Sequence, residues 1–335
     1  GKKITESNNF QNCICNMKKT IKNISIAYVV MIGLFSSLLT IVNLIPKNWI
    51  EENVATSASF IQKEGLYRKI LNFKLFQLDN YTDVLMLNVA VSGVAEEPIK
   101  SAMLCNWSKS SNYMSLAEDT KNIAENQSKE LKTESYGRYW HGYLVILKPL
   151  LIWFTYQEIR VINYVISGVL VISLFLGLYG RVEQNVLILL FLSLLAVNYP
   201  IVPLSMQFSS VFYIAFLGMI YLVRKKRWSD EKLAMAPLFF VLGGLTSFFD
   251  LLTAPLITLG LPLLIAFQIK KQNKTIERTL LLSIFWGIGY SVVWSSKWLV
   301  GSLLTNSDFL SSVFNQVELR TSGQYKGMNM TIPTI

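Results

Sequence analysis

The sequence predicts an all-α, polytopic membrane protein with about seven transmembrane helices and one large external loop. Of its 335 residues 52% are hydrophobic. Only 16% are charged, against about 25% in soluble domains. Runs of about 18 nearly uncharged residues recur along the chain, the length needed to cross a bilayer. Together these exclude a soluble enzyme, a disordered chain and a disulfide scaffold.

The first apolar run, residues 24–45, is stopped by Pro46 and Lys47. It is too long and too late for a secretory signal, and no small-residue cleavage site follows, so it reads as an uncleaved span. Further runs cover 159–179, 185–199 (closed by Pro200 and Pro203), 208–223, 233–249, 251–269 and 279–299. The fifth and sixth form a hairpin turning near Asp250. The expected organisation is a basic N-terminus (1–23), a first transmembrane helix (24–45), an external loop with amphipathic and re-entrant helices (46–157), six further transmembrane helices (158–305) and an external segment (306–335). That last segment stops without a basic tail, as a chain cut before further spans would.

Charge placement sets the orientation. With a cytoplasmic N-terminus, the inside segments hold fifteen basic and five acidic residues. Segment 47–139 holds eleven basic and twelve acidic residues, so the net charge of +10 lies on one side. This is the positive-inside pattern, and the basic balance reports topology and a lipid bilayer rather than nucleic acid. For the topology to close, 140–156 must dip in from outside without crossing. Cys13 and Cys15 then lie inside and Cys105 outside, which leaves no intrachain disulfide. The single His in the chain cannot complete a zinc site with a Cys-x-Cys pair.

Within the external loop, 48–64 reads as an amphipathic helix ended by Gly65. Residues 66–78 read as a second helix lying on the surface. Asp79 or Thr82 is placed to cap an apolar helix over 84–93. Residues 105–135 are polar with few apolar anchors, which predicts loose packing.

Ionisable groups beside the spans fall at their outer ends: Lys148, Glu158, Arg160, Asp250 and Lys297. Charges at such depth point to a functional site. The plain alternative is that Lys148, Arg160 and Lys297 snorkel to headgroups, Glu158 pairs with Arg160, and Asp250 caps a turn. Asp79 and Asp83 are four apart, so a helix would place both on one face, where two carboxylates can divide proton-acceptor and orienting roles. Glu51-Glu52 and Glu96-Glu97 are rival pairs. The stretch 137–143 (Gly-Arg-Tyr-Trp-His-Gly-Tyr) sets Arg138, Trp140 and His141 together, a combination suited to a phosphate or a sugar face.

A cytoplasmic N-terminus, one span, a long external loop with acidic residues, and then a run of spans resembles the GT-C class of integral membrane glycosyltransferases. The Arg138–Tyr143 stretch and the sequence Phe-Phe-Asp-Leu-Leu-Thr-Ala-Pro over 248–255 are similar to bacterial members that decorate surface polysaccharides. The resemblance implies an enzyme of the bacterial plasma membrane. It would move a sugar from a polyprenyl-phosphate donor to a glycan or other cell-envelope acceptor on the outer face. It further implies Asp79 or Asp83 as the catalytic base. Arg138, with Lys297 or Arg160, would hold the departing phosphate, and Trp140, His141, Glu158 and Asp250 complete the substrate-binding candidates. A divalent cation between Asp83 and the phosphate is compatible with this chemistry but not required. Many members place the acid soon after the first span, whereas Asp79 lies well beyond Pro46, which keeps Glu51 and Glu52 open as bases. The competing readings are a lipid or glycan flippase or transporter, which predicts inverted repeats and midplane polar groups, and a non-catalytic membrane subunit.

Overall fold

The computed structural model describes residues 2–110, 115–127, 131–225, 228, 233–269, 275–309, 311, 313–314, 324–325 and 328–329. The basic residues at 226–232 and 270–274, and most of the 306–335 segment, lie outside the described residues.

The protein is mostly helical. Four helices are long and apolar enough to cross a membrane: Cys15–Asn43 within α1 (Lys2–Asn43), α7 (Tyr156–Leu178), α9 (Met206–Arg224) and Ile276–Thr305 within α12 (Thr275–Thr305). Three shorter apolar helices accompany them, α8 (Gln184–Ala196), α10 (Ala236–Phe249) and α11 (Ile257–Ile269). At 13 or 14 residues each they span about 20 Å, less than the roughly 30 Å of a bilayer core. They are shorter than the hydropathy runs because polar and proline residues end them early. Tyr199–Leu204 winds into a 3₁₀ turn carrying two prolines. Residues 251–256 form a turn, held by the Asp250 carboxylate accepting from Thr253 N–H.

Most of the apolar window of α9 is buried, whereas those of α1 and α7 are largely exposed. So α9 is the central post, with α7 on one side and α10 and α11 on the others. The closest pairing is α10 with α12. Here two glycines let backbone touch backbone: a Cβ on Gly243 would lie 2.1 Å from Trp286 O, and one on Gly289 2.1 Å from Phe240 O. Small residues at a helix crossing permit this approach, and packing is the main force holding such helices together in lipid. Gly289→Ala is therefore expected to lower the thermal midpoint of the detergent-solubilised protein, at a cost of about 1–3 kcal/mol. An unchanged midpoint would show that the two helices do not meet there.

Between α1 and α7 the chain builds a compact unit: α2 (Glu51–Glu64), α3 (Asn80–Ser92), α4 (Pro98–Leu104), β1 (Asn106–Lys109), α5 (Leu116–Ala124), β2 (Lys132–Ser135) and α6 (Leu144–Leu150). The antiparallel β1–β2 pair and a second two-stranded ribbon, β3 (Gln324–Tyr325) with β4 (Met328–Asn329), depart from the all-α expectation. Gly65, at φ +92°, ends α2 as expected. Two other expectations fail here. Residues 66–78 are not a helix but a closed loop with two single 3₁₀ turns. Nor is 105–135 loosely packed where it is described, because polar residues anchor it. Buried Asn88 of α3 donates to Ser108 O (2.9 Å) and Thr120 Oγ1 (3.0 Å) and accepts from Ser108 N–H (2.9 Å). Asp119 accepts from Ser110 N–H and Oγ. The element over 140–156 is the short helix α6 and its flanks, packed on α1 and α3.

Candidate active site

Helix α3 begins where Asp79 caps it. Thr82 N–H donates to Asp79 Oδ1 (3.3 Å) and Thr82 Oγ1 to Oδ2 (2.8 Å), satisfying a backbone donor that the first turn leaves free. Asp79 Oδ2 also accepts from Gln207 Nε2 of α9 (2.8 Å), and Gln207 Oε1 is buried without a partner. One turn further on, Asp83 is buried on the inner face of α3. Its Oδ1 accepts from Ser205 Oγ (3.0 Å), and its Oδ2 lies 3.8 Å from Arg160 Nη2.

Arg160 is the hub of this cluster. Its Nη1 donates to Glu64 Oε2 (2.8 Å) and its Nη2 to Asn80 Oδ1 (2.7 Å), while Asn80 Nδ2 closes the triangle onto the same Glu64 oxygen (2.9 Å). The guanidinium also lies over the rings of Tyr156 and Phe60. Burial pushes the Asp83 carboxyl up to about 7, and the nearby Asp79 charge adds to this. Arg160, Tyr156 and Ser205 hold it from rising further. A carboxyl near neutrality accepts a proton readily at physiological pH.

A second cluster forms around 137–143. The indole N–H groups of Trp294 and Trp298, one turn apart on α12, both donate to Arg138 O (2.7 and 3.1 Å). The Arg138 guanidinium lies over the rings of Tyr136 and Tyr139, and its Nε is buried without a partner. His141 is fully buried at φ +56°. Its Nε2 faces Tyr136 O and its Nδ1 faces Tyr143 Oη, each at 2.9 Å. A carbonyl can only accept, so Nε2 carries the proton and Nδ1 accepts from the tyrosine. Burial drives the His141 pKa down to about 3, helped by the Lys297 and Arg138 charges, so the ring is neutral and acts as a staple. Trp140 is equally buried, its Nε1 donating to Val293 O and its ring set against Phe35 and Phe248. Gly142 is required where the segment passes α10, since a Cβ there would lie 2.6 Å from Phe248 O.

The candidates therefore divide. Asp79, Asp83 and Arg160 meet in one network, and Arg138, Trp140, His141 and Lys297 meet in another. Asp250 is held in the turn after α10. The headgroup-snorkelling alternative fails for all three cations. Lys148 is buried with its Nζ toward Asn43 Oδ1 (3.3 Å), Arg160 is in the network above, and Lys297 donates to Ala102 O (2.7 Å) beneath the Trp140 ring. Ala102 lies in the last turn of α4, where free carbonyls favour a cation. Glu158 does not pair with Arg160. It caps α7, accepting from Thr155 N–H (2.7 Å) and Oγ1 (2.8 Å). Glu51 and Glu52 line a separate open cleft of about 760 Å³ between α2 and α5, and Glu97 pairs with Lys100.

Glu64, Asn80, Tyr156, Ser205 and Gln207 are the participants that the sequence did not single out. A cation beside Asp83 does not fit this geometry, because one carboxylate oxygen is taken by Ser205 and the other faces a guanidinium. Among the described residues, no three or more His, Cys, Asp or Glu side chains are grouped to hold a metal ion.

An apolar groove of about 410 Å³ lies on α6, α7 and α9. Tyr143, the partner of His141, lines it, and so do Ile159 and Met206, the chain neighbours of Arg160 and Ser205. Tyr156 Oη accepts from Met206 N–H, so the groove wall is tied to the Asp83 network. No family model, curated protein or solved structure matches the chain.

Proposed function

We propose that the protein is a GT-C-type membrane glycosyltransferase, transferring a sugar from a polyprenyl-phosphate donor to a glycan or other acceptor at the outer face of a bacterial plasma membrane. In this reading α1 and α7–α12 are seven spans, the short ones tilting or thinning the bilayer. The unit between α1 and α7 then lies outside. The observation that carries the proposal is the Asp79–Asp83–Arg160 network, whose buried carboxyl titrates near neutrality, bordered by an apolar groove suited to a lipid chain.

The acceptor hydroxyl attacks the anomeric carbon, and the bond from that carbon to the phosphate oxygen breaks. The phosphate leaves with the electron pair, and the hydroxyl proton passes to Asp83. Asp79, the less buried carboxylate and itself held by Gln207 Nε2, orients the acceptor hydroxyl. Arg138, with its unpartnered Nε, offers positive charge where the leaving phosphate becomes more negative. Lys297 contributes from beneath Trp140 without direct contact.

The test is turnover by the purified protein in liposomes supplied with a panel of polyprenyl-phosphate-linked sugars. Acceptor-dependent release of free polyprenyl phosphate is the expected result. Movement of intact donor between leaflets without cleavage would replace the proposal with a flippase.

A further inference from the structure

Residues 66–78 leave the surface and return to it as a pinned loop. Arg68 O accepts from Leu78 N–H (2.8 Å), Leu66 O accepts from Asn80 N–H (2.9 Å), and Lys69 bridges to Gln77. Leu66 and Leu78, at the root, are buried. The projecting part does the opposite: Leu71 is 76%, Phe73 60% and Leu75 73% exposed. Lys69 and Lys74 flank this tip, Arg68 at the root is paired with Glu64 (3.0 Å), and the loop itself contains no Asp or Glu.

We propose that this loop is a wedge seated in an anionic leaflet, with Leu71, Phe73 and Leu75 among the acyl chains and the Lys69 and Lys74 side chains at the headgroups. Two features select a lipid surface as the occupant. The charge is of one sign and surrounds an apolar tip, the pattern of segments that insert at a negatively charged interface. The tip is also continuous with an apolar helix: Leu75 O accepts from Asn198 Nδ2 (3.4 Å) just beyond α8, whose Ile188, Leu189 and Leu192 are exposed. Because the loop ends at Leu78, directly before the Asp79 cap, its seating also fixes where α3 starts. This inference depends on the membrane setting and is independent of the transfer chemistry.

The test uses the full chain with Cys13→Ser and Cys15→Ser, leaving the buried Cys105 in place. A nitroxide is attached at Leu75→Cys, or at Leu71→Cys should the first variant not fold. The protein is placed in phosphatidylcholine discs with and without phosphatidylglycerol. Collision with oxygen should exceed collision with a water-soluble nickel chelate, at a depth of about 5–10 Å below the headgroups. Phosphatidylglycerol should deepen the label, and Lys69→Gln with Lys74→Gln should remove that deepening. Dominant nickel collision would place the loop in water and overturn the wedge. Low collision with both reagents would mean that protein, such as a second copy, covers the tip, and would overturn it too. A depth indifferent to phosphatidylglycerol would overturn the anionic assignment.

Discussion

Asp83→Asn is expected to cut the proposed acceptor-dependent transfer by about 10²–10⁴-fold, the contribution of a positioned proton acceptor, and to make the folded protein more resistant to alkaline pH. The second effect follows from linkage. The carboxyl rises from 3.8 to about 7 in the folded state, so the fold favours the protonated form. That advantage is fully present below the unfolded value and is lost as pH rises through about 7. A shift of this size corresponds to about 4 kcal/mol between the acid and alkaline limits. The thermal midpoint of the parent protein should therefore fall between pH 5 and pH 8 (about one unit or more to either side of neutral), and Asp83→Asn should flatten that slope. Turnover that survives Asp83→Asn but not Asp79→Asn would move the base to the cap of α3. A slope unchanged by Asp83→Asn would assign the titration to another group.

The second large effect is expected at Arg160. Arg160→Met removes the only cation that joins Glu64, Asn80 and Asp83 among the described residues. Arg160 and Glu64 have side chains only 8% and 7% exposed, so the loss leaves Glu64 Oε2 and Asp83 without their cation in a poorly solvated site, Glu64 keeping only Arg68 at Oε1 (3.0 Å). Breaking such a pair costs about 3–5 kcal/mol, where an exposed pair costs about 1 kcal/mol or less. Adding Glu64→Gln to Arg160→Met should recover part of the stability, because the buried Glu64 charge, then held by the half-exposed Arg68 alone, is gone. Chemical or thermal denaturation of the two single variants and the double variant measures the coupling. A cost for Arg160→Met near that of a surface pair would mean that the network is open to water.

The apolar helices were legible because each needs only a local run of hydrophobic residues, and so was the α3 start, because Asp79 and Thr82 are near neighbours. What local pattern could not show is long-range. Arg160 finds Glu64 across 96 positions, Asp83 finds Ser205 across 122, and Asp79 finds Gln207 across 128. No spacing rule links such residues. Hydropathy also misread polarity in 105–135, where Asp119 and Thr120 are interior groups and Asn88 of α3 ties the segment down. The opposite error arose at 66–78. Alternating basic and apolar residues imitate a surface helix, yet Lys69 and Gln77 pair across a loop. Buried cations were equally ambiguous, since a long side chain at a helix end can turn outward or inward, and only its tertiary partners decide.

The partners of α1 also carry a consequence for biosynthesis. Tyr28 is hydrogen bonded to Ser296, 268 residues later, and a Cβ on Gly244 would strike Met31, so α1 is fitted against α10 and α12. At a synthesis rate of about 5–20 residues per second, roughly 15–50 s separates the emergence of Tyr28 from that of Ser296. During that interval α1 can rest on α4 and α6, which it also touches, but its other face has only lipid to meet. A helix made well before two of its partners is thus among the last to complete its packing. A ribosome stalled before α12 would leave an inserted but unclosed protein, open to membrane quality control along that waiting face.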